Sequence, residues 1–185
     1  MSNIKKPLSK KLLKVALKSY ETHKGHVRVK KPKILGIIDM GLHSKYRRFY
    51  VIDVKTKKVL RQHHVAHGKN SDRNNDGNLD SFSNRVMSKQ SAKGMCVTGN
   101  VYTWGRRFPT RNKLKLHGLD KTNSNVFRRA IVIHSSNYVT DSYIGRAGKA
   151  GRSWGCPAVD PAIADSLIDM LKNGALVYIN SRSMV

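Results

Sequence analysis

The sequence predicts a mainly β domain, and three observations carry that expectation. Short runs rich in β-branched and aromatic residues recur at 34–39, 48–54, 57–66, 94–98, 101–104, 113–117, 128–134 and 175–180, with Gly, Asn and Asp between them. Only two stretches place apolar residues at helical spacing, one near each end of the chain. A length of 185 residues, 39% of them hydrophobic, is enough for one domain with a real core and too apolar for a disordered tail.

The first helix is expected over Leu8 to Thr22. Leu12, Val15, Ala16 and Tyr20 fall on one stripe there, with lysines elsewhere, and Ser9 stands where a cap belongs. Lys24 to Lys33 reads as a basic linker ending near Pro32. The chain therefore divides, at this level, into a basic N-terminal helix and linker (1–33) and a main domain (34–185). The strands follow in order. The second helix opens at Asp160, a good N-cap, with Pro161 at the first helical position. Ile163, Leu167, Ile168 and Leu171 form its buried stripe, and Gly174 is placed to end it. No internal repeat is visible.

Charge narrows the partners. Lys and Arg number 36 against 11 Asp and Glu, a formal charge of +25. A field of that size predicts an anionic partner surface and steered encounter. The cations are spread along the chain without zinc-finger spacing or an RNP-like aromatic motif, so nucleic acid is the lesser candidate beside anionic wall polymers or lipopolysaccharide. No run approaches the roughly 20 apolar residues of a membrane span. Within Met1 to Lys33 the apolar runs are shorter than the roughly 7 to 15 residues of a secretory core, so no signal peptide is visible and the export route stays open.

The chemistry concentrates in Gly151-Arg152-Ser153-Trp154-Gly155-Cys156-Pro157-Ala158, with Ile131-Val132-Ile133-His134-Ser135 a short way upstream. A thiol is mostly protonated at neutral pH and needs a base or cation nearby to act as a nucleophile. Cys156 after a Ser-x-Gly turn is the candidate nucleophile, and His134, at the end of an apolar run, is its base. Gly155 permits a positive φ, and the amides of Gly155 and Cys156 are candidate oxyanion donors. The second ring nitrogen of His134 needs an acceptor; Ser135 or a backbone carbonyl would serve. Cys96, inside Gly94-Met95-Cys96-Val97-Thr98, reads as a buried packing residue.

These strings resemble the cysteine L,D-transpeptidases of bacterial cell walls, the murein L,D-transpeptidase catalytic domain family, over roughly Ile34 to Ile179. Ile37-Ile38-Asp39, Arg48 to Asp53, Val65 to Ser71, Phe82-Ser83-Asn84, Leu114 to Leu119 and Arg129 to His134 are similar to the family's landmarks. The commoner branch carries His where Trp154 stands, and Arg or Asn two places beyond the cysteine, where Ala158 stands. The resemblance implies a curved β-sandwich or open barrel with two or three helices, and no cofactor. It implies a cysteine acyltransferase in the periplasm or cell envelope, acting on peptidoglycan stem tetrapeptides. The thiol attacks the amide after the L-centre of diaminopimelate, D-Ala leaves, and an amine of a second stem takes the acyl group. Water as acceptor would make it an L,D-carboxypeptidase, and a phage or interbacterial wall-targeting enzyme is a biological variant. The non-enzymatic rival is a basic module binding wall polymer or nucleic acid.

Arg152 and Arg129 are candidates for a stem carboxylate, because the guanidinium fork suits it. Ser153, Trp154, Tyr138 and His67 are candidates for lining the substrate groove, with His67 the first alternative base and His117 a weaker neighbour. His63 and His64 are adjacent, so on a strand they face opposite ways. Asp72 to Asp80 has ligand types at the first, third and fifth positions of a calcium loop and Gly at the sixth, but Ser83 at the twelfth; it reads as an Asn/Asp/Gly-rich surface loop. No metal site is expected.

Overall fold

Alternation with period two in the central strands sends apolar side chains to both faces of a sheet, so each face needs a cover. The computed structural model, which describes residues 4–103 and 112–181, supplies both covers. Strands β1 (Ile34–Asp39), β2 (Phe49–Asp53), β5 (Gly94–Thr103) and β10 (Leu176–Asn180) form the centre. Leu35, Ile37, Tyr50, Ile52, Met95, Val97, Leu176 and Tyr178 point one way and share a core with Leu12, Ala16 and Tyr20 of helix α1 (Lys10–His23). Ile38, Phe49, Val51, Cys96, Val177 and Ile179 point the other way, into a core with Ala164, Leu167, Ile168 and Leu171 of helix α3 (Pro161–Leu171).

The remaining strands are β3 (Val59–His63), β4 (His67–Gly68), β6 (Asn112–Gly118), β7 (Val132–Ser135), β8 (Arg152–Ser153) and β9 (Ala158–Val159). Eight strands make one nearly closed, curved sheet in the order β3-β2-β1-β10-β5-β6-β7-β9, while β4 and β8 pair separately. Register shifts between Val51 and Ile52 and between Thr98 and Val101 are bulges, which bend a sheet. The mainly β expectation with two or three helices holds; the third is α2 (Asp141–Ala147).

Local chemistry explains the helix ends. Ser9 Oγ accepts the Leu12 amide at 3.0 Å, and Asp160 accepts the Ala162 amide at 2.8 Å. The first turn of α1 holds no acidic residue, which forgoes about 0.3–1 kcal/mol of dipole complement. Burying one side chain the size of Leu12 is worth about 1.5–3 kcal/mol, so packing decides that this helix forms. Because α1 and the sheet share a core, the boundary drawn at residue 33 separates stretches of chain that pack together.

The differences from expectation have local causes. The runs 94–98 and 101–104 join as one bulged strand, β5; Trp104 lies outside the described residues, as do 1–3 and 182–185 of the two expected segments. The run 57–66 pairs only over Val59–His63. The run 128–134 begins pairing at Val132, because Ala130 turns with φ 52°. Helix α3 ends at Leu171, and both Asn173 (φ 62°) and Gly174 (φ 105°) are left-handed, so the stop is a two-residue device.

Candidate active site

Strands β7 and β9 run parallel, with His134 opposite Ala158 and Ser135 opposite Val159. The ladder is regular at one end, where the Ser136 amide donates to Val159 O at 2.8 Å. The His134 amide then donates to Pro157 O at 3.4 Å. The next amide on that edge belongs to Val132, which favours the thiolate of Cys156. Cys156, half-buried, follows at the open end of the ladder, its sulfur 3.9 Å from the Ala130 carbonyl oxygen.

The turn that delivers it is held by Ser153. Its hydroxyl accepts the Gly155 amide at 3.0 Å and donates to the Cys156 carbonyl at 2.6 Å. Gly155 has φ +119°, and a Cβ there would stand 2.7 Å from Gln90 O, so both backbone conformation and space require glycine. The expectation that the Gly155 amide faces an oxyanion is corrected: Ser153 already holds it. Ser153 is itself buried at 5% exposure, which makes it a brace for the turn and removes it from the groove wall.

His134 is buried, and its Nδ1 lies 2.8 Å from the Ser135 carbonyl oxygen. A carbonyl can only accept, so Nδ1 carries the proton and Nε2 the lone pair. Ser135 orients the ring through its backbone. Burial, above all, lowers the His134 pKa, the Ser135 carbonyl opposes that, and Lys113 adds to the lowering. Burial also pushes the Cys156 thiol up, against the Val132 amide and the Arg129 charge, which both favour thiolate. At neutral pH the resting groups are therefore a thiol and a neutral imidazole.

Arg129 is half-buried beside the turn. One terminal nitrogen donates to Ser83 O at 2.5 Å; the other donates to Ser88 Oγ at 3.1 Å and to Gln90 O. It thereby clamps the segment 83–90 with three of its five N–H groups and places its charge against Cys156. Arg152 donates to the Asp72 carbonyl. Tyr138 is half-buried, packs on Gly151, and sits close enough that a charged Cys156 helps raise its pKa to about 12, after burial. Trp154 is 69% exposed, with Lys89 Nζ 4.5 Å from its ring centre.

His67 does not face the groove. It is fully buried; Arg48 donates to its Nδ1 at 2.7 Å, and its Nε2 donates to Asp72 at 3.1 Å. Burial first and Arg48 second push its pKa down to about 3. With both nitrogens engaged it can neither bind substrate nor replace His134 as base. Asp72 also accepts the Asp76 and Gly77 amides, so the loop 72–80 closes on its own carboxylate. Among the described residues, no group of three or more His, Cys, Asp or Glu could hold a metal ion. Cys96 is buried and its thiol is pushed up to about 12.

Sequence reasoning missed Tyr102 and Lys113, which face each other across β5 and β6. The first feels Cys156 and the second His134. The alternation Lys113-Leu114-Lys115-Leu116 was the available signal, since it puts both lysines on the face away from the core leucines.

A search of curated proteins gives no match. The chain is similar in structure to an L,D-transpeptidase from Mycobacterium smegmatis, with TM-score 0.47 and 17% identity over 80% of this chain and 59% of that one. It is also similar to an L,D-transpeptidase from Stackebrandtia nassauensis, with TM-score 0.46 and 14% identity over 94% and 67%. A third is the helical cell shape determining protein Pgp2 from Campylobacter jejuni, with TM-score 0.50 and 9% identity over 94% and 57%. The chain thus spans about three fifths of the length of the first of these. The model of the L,D-transpeptidase catalytic domain matches residues 4–180, almost the whole chain, including α1 and the Cys156 turn, and the chain therefore belongs to the L,D-transpeptidase catalytic domain family.

Proposed function

We propose that the protein is a cysteine acyltransferase that cuts peptidoglycan stem tetrapeptides after the diaminopimelate L-centre and passes the acyl group to an amine. The observation that carries the reading is the β7–β9 pairing, which sets His134, its ring oriented by the Ser135 carbonyl, opposite Ala158, two residues beyond Cys156. Family membership supports the substrate class.

The sequence of events follows from the resting charges. Nε2 of His134 takes the thiol proton as sulfur attacks the carbonyl carbon, giving a tetrahedral oxyanion. Arg129 and the Val132 amide favour the sulfur's developing charge. The imidazolium then protonates the departing D-Ala nitrogen, leaving a thioester on Cys156 and a neutral base. The incoming amine attacks the thioester carbon and loses a proton to the same nitrogen; the C–S bond then breaks, and the imidazolium returns that proton to the sulfur. Envelope placement follows from this substrate, and among the described residues no helix is long and apolar enough to cross a membrane.

Incubation with disaccharide-tetrapeptide, followed by mass spectrometry, tests the reading. A crosslinked dimer, with released D-Ala and a transient disaccharide-tripeptide thioester on Cys156, is the expected result. Tripeptide alone would make water the acceptor and the enzyme a carboxypeptidase. Unchanged substrate would reject the acyl-transfer reading.

A further inference from the structure

We infer that Trp154, backed by Lys89, is a stacking platform for a sugar ring of the glycan strand, so that the enzyme reads the saccharide as well as the stem peptide. The inference rests on the acyl-transfer reading above and adds a saccharide subsite to it.

Three observations meet at this place. Trp154, exposed over 69% of its surface, offers a large amphipathic ring of the kind enriched at recognition surfaces. Its backbone is fixed: Ser153 braces the turn on one side, and Gly155 admits no side chain on the other. The ring is therefore presented by a braced turn, and the backbone entropy of ordering that turn is already lost before substrate arrives.

The segment bearing Lys89 is held with equal care. Met87 (φ 61°) and Lys89 (φ 55°) are both left-handed, a conformation that non-glycine residues keep only where surroundings impose it. The surroundings do so: Asn70 donates to Ser88 O at 2.8 Å, the Asn70 amide donates to Lys89 O at 3.1 Å, and Arg129 grips Ser88 and Gln90. The product is an ammonium 4.5 Å from the indole centre, with Met87, 84% exposed, on the same segment. An aromatic face with a hydrogen-bond donor at hand matches an N-acetylated sugar ring, whose C–H face is apolar and whose acetamide oxygen accepts.

Reach also fits. The attacked carbonyl belongs to the third stem residue, and three extended residues span at most about 10–11 Å. Trp154 stands two residues before Cys156 on the same turn, so a sugar tethered by a stem of that length is offered to the ring's neighbourhood.

The test compares acylation of wild type and Trp154→Ala by disaccharide-tetrapeptide and by free tetrapeptide, followed by mass spectrometry of the thioester. Wild type should prefer the saccharide-bearing substrate by about tenfold in kcat/KM, a stacking-sized effect. In Trp154→Ala the ratio should collapse toward one, and Trp154→Phe should restore most of it. Calorimetry with peptide-free glycan strands supplies a readout without turnover: binding to wild type, lost in Trp154→Ala and kept in Trp154→Phe. Equal losses on both substrates, or glycan binding indifferent to Trp154, would overturn the platform. Glycan binding with the expected Trp154 dependence but no acylation of either substrate would keep the platform and sink the acyl-transfer reading.

Discussion

Cys96 and Cys156 are the same residue in two electrostatic settings. Cys96 lies on β5 at the middle of the sheet, fully buried, with Asn123 Nδ2 at 3.5 Å, and its thiol is pushed up to about 12. Cys156 sits where the β7–β9 ladder ends. It too is raised by burial, but an amide and a guanidinium pull the other way. Burial alone makes a cysteine inert. A backbone amide and a cation beside the sulfur favour the thiolate, the form in which a cysteine can react.

The sharpest way to break the comparison is to exchange the roles. Cys156→Ala should abolish turnover and covalent addition of a carbapenem, whereas Cys96→Ser should keep most of the activity and lose stability by roughly 1–3 kcal/mol for a buried hydroxyl. An active Cys156→Ala protein would falsify the assignment. Next in size, His134→Ala should lower kcat/KM by about 10² or more, as when a general base is lost. Because burial holds the His134 pKa below its ordinary value, the acid limb of the wild-type profile should fall below about pH 6.5. A limb above that would mean a charged resting pair.

Arg129 sharpens the contrast from the electrostatic side. Arg129→Met should move the alkylation profile of Cys156 by iodoacetamide about one pH unit upward, since an adjacent opposite charge is worth about 1–3 units. An unmoved profile would reduce Arg129 to a clamp on 83–90.

His67 supplies a contrast of its own with His134. Its pKa is about 3 in the fold, against about 6.5 in an unfolded chain. The unfolded chain therefore binds the extra proton between those values. Stability is complete above about pH 6.5 and declines as pH falls toward 3, by up to roughly 1.4 kcal/mol per unit. Gln can accept from Arg48 and donate to Asp72 without titrating, so His67→Gln should show a flatter acid slope in denaturant titrations from pH 7 to 4. An unchanged slope would place the acid sensitivity elsewhere.

The smallest effect concerns the +25 charge. Binding to insoluble peptidoglycan should fall steeply with salt, because surface charges are screened beyond about 8 Å at physiological strength. Single-turnover acylation of a soluble stem peptide at saturation should change only a few-fold. A parallel loss of both would place surface cations in the chemical step.

What the sequence made legible was local. Cys156, His134 and the glycine between Ser153's brace and the sulfur sit in contiguous strings, and both helix caps are read from single residues. What stayed hidden was assembled across distance. Arg129 meets Ser83, Ser88 and Gln90 only because the fold returns the chain there. His67 resembled a cleft residue because its partners, Arg48 and Asp72, lie on either side of it in sequence with nothing to mark them as one buried triad. Strands β4, β8 and β9 are two residues long, too short for any periodicity to register. The Gly155 amide differs: its partner, the Ser153 hydroxyl, is only two residues away, and a side-chain rotamer rather than distance decides the contact.

The first helix has a practical consequence. Its Tyr20 hydroxyl is tied to Pro32 O at 2.7 Å, so the basic stretch after it is looped back onto the helix. Trimming the chain to residue 34, as motif boundaries alone would advise, would strip the lid from Leu35, Ile37, Tyr50, Met95 and Tyr178 at once. The product would keep Cys156 and His134 and expose a broad apolar sheet face of Leu, Ile, Met and Tyr side chains, the kind of surface that drives inclusion-body formation. Expression trials that vary the start point should therefore find solubility lost upstream of any catalytic residue.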